Sequence, residues 1–259
     1  MYSEGETGIS EDYLQQVIES IEEPIVVLGG WAVRFLVNEG YRGLTGRGYL
    51  GSRDIDIGFS MKEQILDRTS FAKAYDVLIH DLGFRPLSFR LFKEMHAETG
   101  EALDEETARN LPPHQVTHMY VDMIVDRIPE DFREHFGFTP IDEPLLSHVF
   151  LSRKKRIEIE RFGRAVWIPT ADVLLAMKVR SCPGRDRTHK KVKDVCDIAV
   201  ISMFGLLSRD EGWSSGLISK ENIEGFRKVV KREDLSTASE ILGIARETME
   251  GSMSGLGLL

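Results

Sequence analysis

Leu28-Gly29-Gly30-Trp31-Ala32-Val33, followed after a glycine-rich gap by Ser52-Arg53-Asp54-Ile55-Asp56-Ile57, organises the rest of this chain. The first segment completes a short β-branched run, Ile25-Val26-Val27-Leu28, which two glycines close. That is the pattern of a buried strand with an abrupt end. Residues 31–37 then predict a helix. In the second segment polar and apolar residues alternate, as in a half-buried strand. Asp54 and Asp56, two apart on a strand, point to one face, while Ile55 and Ile57 point to the other. Two carboxylates on one face repel unless something positive lies between them. Glycines at a helix start let the backbone come close to a ligand, and the exposed amides there favour an anion.

Working outward, apolar residues at Tyr13, Leu14, Val17, Ile18 and Ile21 predict a helix over residues 12–22, ended by Pro24. Residues 38–52 hold Gly40, Gly43, Gly46, Gly48 and Gly51 and predict a loop. Helical spacing returns over residues 71–82, with Gly83 as a cap. Strands are expected at residues 89–92 and 118–125, with an acidic surface excursion over 98–110. A hairpin is expected from residues 157–162 and 165–168, turning at Gly163-Arg164. Thr170 is a candidate N-cap for a helix through Arg180, which Pro183-Gly184 breaks. Further helices are expected over about 189–204, 222–230 and 236–249, with a frayed tail from Gly251. The order implies an α+β fold with a mixed β-sheet flanked by helices.

Composition narrows the function. The 259 residues include 33 basic and 42 acidic side chains, a net charge of −9. That argues against a surface coated for nonspecific nucleic-acid binding. The basic groups cluster, however, at Lys178, Arg180, Arg185, Arg187, Lys190, Lys191 and Lys193, with Asp186 the one acid among them before Lys193. This segment suits a local anionic ligand, although a charge run is more often a solvated face. No apolar run is long enough to span a membrane, and residues 1–12 lack the features of a signal peptide. Cys182 and Cys196 make no disulfide framework and no C-x-x-C pattern, so a cytoplasmic location and inert thiols are expected. The seven histidines offer no zinc spacing beyond His114-x-x-x-His118, which would need a helix where a strand is expected. There is no P-loop.

The Gly29-Gly30 and Asp54-x-Asp56 motifs together resemble the signature of the DNA polymerase β-like nucleotidyltransferase superfamily, and most closely the AbiEii-type toxins and minimal nucleotidyltransferases. Ser52, two residues before Asp54, fits those families. The resemblance implies a third carboxylate on a later neighbouring strand. Asp122 in Val121-Asp122-Met123-Ile124-Val125-Asp126 fits by its early placement, and Asp126, on the same face, is the alternative. A second match is a leucine-rich helix ending in Ala176-Met177-Lys178, followed by Lys193-Asp194-Val195-Cys196-Asp197. By resemblance Lys178 meets a triphosphate and Asp194 orients that lysine.

The resemblance thus implies a nucleotidyltransferase domain over residues 10–135 and a mostly helical C-terminal domain over 136–250. Asp54, Asp56 and Asp122 are the expected catalytic and metal-binding residues. Gly29, Gly30, Ser52, Lys178 and Asp194 are the expected nucleotide-binding residues. The site is expected between the two halves. Mg²⁺, with Mn²⁺ as the alternative, suits all-oxygen ligands shared with substrate phosphates. The implied reaction passes a nucleoside monophosphate from an NTP to an acceptor hydroxyl on a small molecule, a protein or an RNA such as tRNA. An antitoxin partner is a further implication. Rival readings are a nucleotide-binding regulator without turnover and a protein-interaction module with an acidic face.

Overall fold

The computed structural model describes residues 4–62, 66–207 and 216–259. In chain order its helices are α1 (Glu4–Ser20), α2 (Gly29–Thr45), α3 (Ser70–Asp76), α4 (Glu105–Asn110), α5 (Phe132–Phe136), α6 (Leu146–Leu151), α7 (Ala171–Ser181), α8 (Thr188–Phe204), α9 (Lys220–Val229), α10 (Arg232–Leu242) and α11 (Arg246–Gly255). Its strands are β1 (Ile25–Val27), β2 (Asp54–Phe59), β3 (Arg85–Leu87), β4 (Arg90–His96), β5 (Val116–Val125), β6 (Ile141–Asp142), β7 (Arg156–Arg161) and β8 (Arg164–Pro169). The residues pack as two compact units, each discontinuous in sequence. One joins Tyr2–Trp31 to Gly51–Ile168, and the other joins Ala32–Leu50 to Pro169–Leu259.

The first unit is a mixed sheet flanked by helices. Among the described residues the strand order is β3-β4-β5-β2-β1-β8-β7, with β6 on the end of β5. β1 is antiparallel to β2 and parallel to β8, while β2 is parallel to β5. The hairpin of β7 and β8 thus extends this sheet, although it follows residue 135. Ile25, Val26, Val27, Ile55, Ile57, Val121, Met123 and Val166 are buried, as are Leu14, Val17 and Ile18 of α1. Each such side chain stabilises the fold by about 1.5–3 kcal/mol. Trp31 is fully buried and donates through Nε1 to Ser10 Oγ (3.3 Å), whose hydroxyl donates to the Arg53 carbonyl (3.2 Å). Its role is in the core.

The second unit is helical. Val173, Leu174, Leu175, Val195, Ile198, Ala199, Phe226 and Leu242 fill its interior, and Tyr41 donates to the Leu242 carbonyl at 2.7 Å.

Four local expectations change. Residues 38–45 are not a loop: α2 continues to Thr45, because Val37 and Tyr41 keep helical spacing and are buried. Gly40 there answers to packing, since a Cβ would come within 2.9 Å of the Phe204 ring. Residues 71–82 form a shorter α-helix, α3, followed by a π-helical turn, Val77–Asp81. The helix expected over 236–249 divides into α10 and α11 at Gly243, whose φ of +63° is left-handed and ends α10. The tail is not frayed from Gly251. α11 runs to Gly255, and Met253 and Leu258 are fully buried.

Candidate active site

β1 ends where Leu28 N donates to the Asp56 carbonyl at 2.9 Å. The chain then reverses into α2 through Gly29, at φ +58°. A Cβ on Gly29 would lie 1.7 Å from Asp56 Oδ2, so the start of α2 is pressed directly against that carboxylate. Only glycine combines the left-handed backbone with this approach. Gly30 is buried in the first turn, and Ser52 is half-buried just before β2.

The register of β2 and β5 assembles the acids. Asp56 pairs with Asp122, and Asp54 pairs with Tyr120. Paired residues of adjacent strands share a face, so Asp54, Asp56 and Asp122 lie together on one side of the sheet. Asp54 and Asp56 are half-buried and Asp122 is buried. Asp126, further along, is otherwise engaged: its carboxylate accepts from Ser60 Oγ at 3.0 Å and Met61 N at 2.8 Å. It holds the turn after β2.

Arg90, which the sequence did not single out, joins this face. It opens β4, beside β5. Its Nη2 donates to Asp122 Oδ2 at 2.6 Å and lies 3.6 Å from Asp54 Oδ2. Its guanidinium lies over the rings of Tyr120 (4.5 Å) and Phe89 (5.0 Å). Burial opposes its charge, but Asp122, Asp54 and Asp56 outweigh that and raise its pKa. The sequence signal was an arginine inside the strand expected at residues 89–92. Nothing local said which carboxylates it would meet.

Lys178 belongs to the second unit. On α7 it is buried, with Nζ 3.0 Å from Asp194 Oδ1 and 2.7 Å from Asp197 Oδ2 on α8. Arg185 adds a second cation on Asp194, and Lys193 a second on Asp197. Tyr49 donates to Asp197 Oδ1 at 2.6 Å. Burial would discharge Lys178, yet the two aspartates hold its pKa above the usual lysine range. Burial would likewise raise Asp197, but Lys178 and Lys193 hold it below the usual carboxylate range. Burial and Asp197 together push the Tyr49 phenol well up. Tyr49 lies in the segment 38–52 that glycine content marks as a loop, where no local pattern points to a partner in α8.

The other candidates resolve simply. Burial pushes Cys182 and Cys196 up to about 12, so both thiols are protonated and inert near neutral pH. His114 lies in a 3₁₀ turn and His118 on β5, so they do not share a helix face. No helix among the described residues is long and apolar enough to cross a membrane.

For a divalent ion, the donor set fits by chemistry. Asp54, Asp56 and Asp122 offer hard carboxylate oxygens on one face, and the backbone at Gly29 closes against one of them. As arranged, however, no three His, Cys, Asp or Glu side chains among the described residues converge tightly enough to hold an ion. The Arg90 guanidinium lies between Asp54 and Asp122.

No family model matches the chain, and no curated protein does. It is similar to the crystal structure of an antigenic nucleotidyltransferase-like protein from Paracoccidioides brasiliensis. The identity is 15% and the TM-score 0.42, over 93% of this chain and 94% of that one.

Proposed function

We propose that the protein is a nucleotidyltransferase, moving a nucleoside monophosphate from an NTP to an acceptor hydroxyl and releasing pyrophosphate. The observation that carries this reading is the pairing of Asp56 with Asp122 across parallel strands, with Asp54 on the same face and Gly29 against Asp56. The motif resemblance asked for three such acids.

In this reading the first turn of α2 offers its amides to the phosphates. Asp54, Asp56 and Asp122 would hold Mg²⁺, which supplies charge stabilisation to the phosphoryl oxygens. Asp122 takes the proton of the acceptor hydroxyl as its oxygen attacks the α-phosphorus. The new O–P bond replaces the bond to the β-phosphate, and pyrophosphate leaves. Asp122 is preferred to Asp126 because both Asp126 oxygens already serve Ser60 and Met61. Lys178 and Asp194 are proposed to serve the triphosphate, by resemblance alone. The acceptor, whether small molecule, protein or RNA, follows from no residue here. A role as the toxin of a toxin–antitoxin pair extends the same resemblance.

One observation favours the rival regulator without turnover: Arg90 already neutralises Asp122 and Asp54. The deciding experiment is transfer of label from each α-labelled NTP with Mg²⁺ to a cell extract. Wild type and Asp126→Asn are expected to label an acceptor, while Asp56→Ala and Asp122→Asn are not. If wild type and Asp56→Ala bind NTP alike and neither labels anything, the enzyme reading fails.

A further inference from the structure

The acidic face carries its own cation. Arg90 follows a tight turn in which Ser88 adopts a left-handed φ of 59°, so the turn delivers its side chain at the very start of β4. Nη2 reaches Asp122 at 2.6 Å and Asp54 at 3.6 Å, and the side chains of Arg90 and Asp54 are each only 14% exposed. Phe89 and Tyr120 lie against the flat guanidinium, 5.0 and 4.5 Å from their ring centres. Planar stacking of this kind suits arginine better than lysine, whose ammonium is a compact point charge without a plane. The guanidinium therefore lies between two of the three oxygen donors that a divalent ion would need.

We propose that Arg90 is the resident counter-cation of this site and competes with a divalent metal for Asp54 and Asp122. Metal loading then requires Arg90 to leave those oxygens, and Arg90 sets the metal concentration at which the site fills. It is a positioning residue, acting through the two carboxylates. The inference rests on the reading that these acids receive a metal, but its test needs no turnover. At short range and partial burial, loss of one positive charge beside two carboxylates changes their affinity for a cation by roughly tenfold or more.

The test measures Mn²⁺ binding to the full chain without nucleotide, following free Mn²⁺ by electron paramagnetic resonance. Arg90→Gln is expected to bind Mn²⁺ roughly tenfold more tightly than wild type. Arg90→Lys should fall between the two, because it keeps the charge but loses the stacking and the fork geometry. Asp122→Asn reports whether the ion measured is at this site. If Arg90→Gln does not fold, Tyr120→Leu replaces it: it keeps Arg90 but removes a stacking face, and should also tighten Mn²⁺ binding. Binding that Asp122→Asn abolishes but that Arg90→Gln, or its substitute, leaves at the wild-type affinity overturns the proposal and spares the enzyme reading. No Mn²⁺ binding by wild type or either Arg90 variant overturns the proposal, and leaves the enzyme reading to the label-transfer assay, where the ion is shared with substrate phosphates.

Discussion

Replacing Gly29 with alanine tests how closely the start of α2 and Asp56 depend on each other. The new Cβ would lie 1.7 Å from Asp56 Oδ2 and 2.6 Å from its Cγ. Carbon and oxygen approach no closer than about 3.3 Å without penalty, so the carboxylate has to retreat by roughly 1.5 Å. The left-handed φ of +58° adds about 1–2 kcal/mol for any residue with a Cβ. Moving Asp56 off its rotamer adds about 1 kcal/mol more. The sum, about 2–3 kcal/mol, lowers a urea midpoint by about 1 M. Displacing a reacting group by 1 Å costs roughly 100-fold in rate, so NTP transfer should fall by at least that factor. Gly43→Ala is the matched control. It lies in the same helix with nothing within 4 Å of its added Cβ, and should stabilise by about 0.5–1 kcal/mol. Urea titrations followed by circular dichroism, with the label-transfer assay alongside, read both effects. A Gly29→Ala protein with wild-type midpoint and transfer rate would refute the claim that this glycine is held by Asp56.

Two further outcomes follow from the buried ion cluster. Lys178→Met removes the cation shared by Asp194 and Asp197, leaving Arg185 on the first and Lys193 with the Tyr49 hydroxyl on the second among the described residues, and should cost about 3 kcal/mol in a urea titration, with partial recovery when Asp197→Asn is added. A loss under about 1 kcal/mol would mean that Lys178 contributes little. The depressed pKa of Asp197 gives stability that is fully present above the ordinary carboxylate value of 3.8 and disappears as the pH falls through its lower folded value. Asp197→Asn should therefore show a shallower loss of stability than wild type below about pH 4, and parallel acid limbs would count against the assignment.

The part of the candidate site that was legible is the part whose codes are local. A β-branched run closed by Gly29-Gly30 marks a strand end, and the two-residue period of Asp54-x-Asp56 puts both acids on one face whatever surrounds them. Boundaries set by packing were not legible. The glycines of α2 read as a loop because loop-like composition and close helix packing use the same residue. Gly40 packs against Phe204 while Gly43 meets nothing, and the helix runs through both because Val37 and Tyr41 are buried on one face.

Local pattern alone therefore fixes the elements that carry the motifs and the shared face of Asp54 and Asp56; a third acid on a later strand is what the motif resemblance implies. The tertiary structure decided which strand lies beside which. It set Asp122 level with Asp56, spent Asp126 on Ser60 and Met61, and laid β8 along β1. It also brought Arg90 to Asp122, 32 residues away in sequence, and Tyr49 to Asp197, 148 away. Periodicity describes one segment at a time. Strand register and buried ion pairs are settled between segments, by the joint need to bury apolar faces and to leave no charge without a counter-charge.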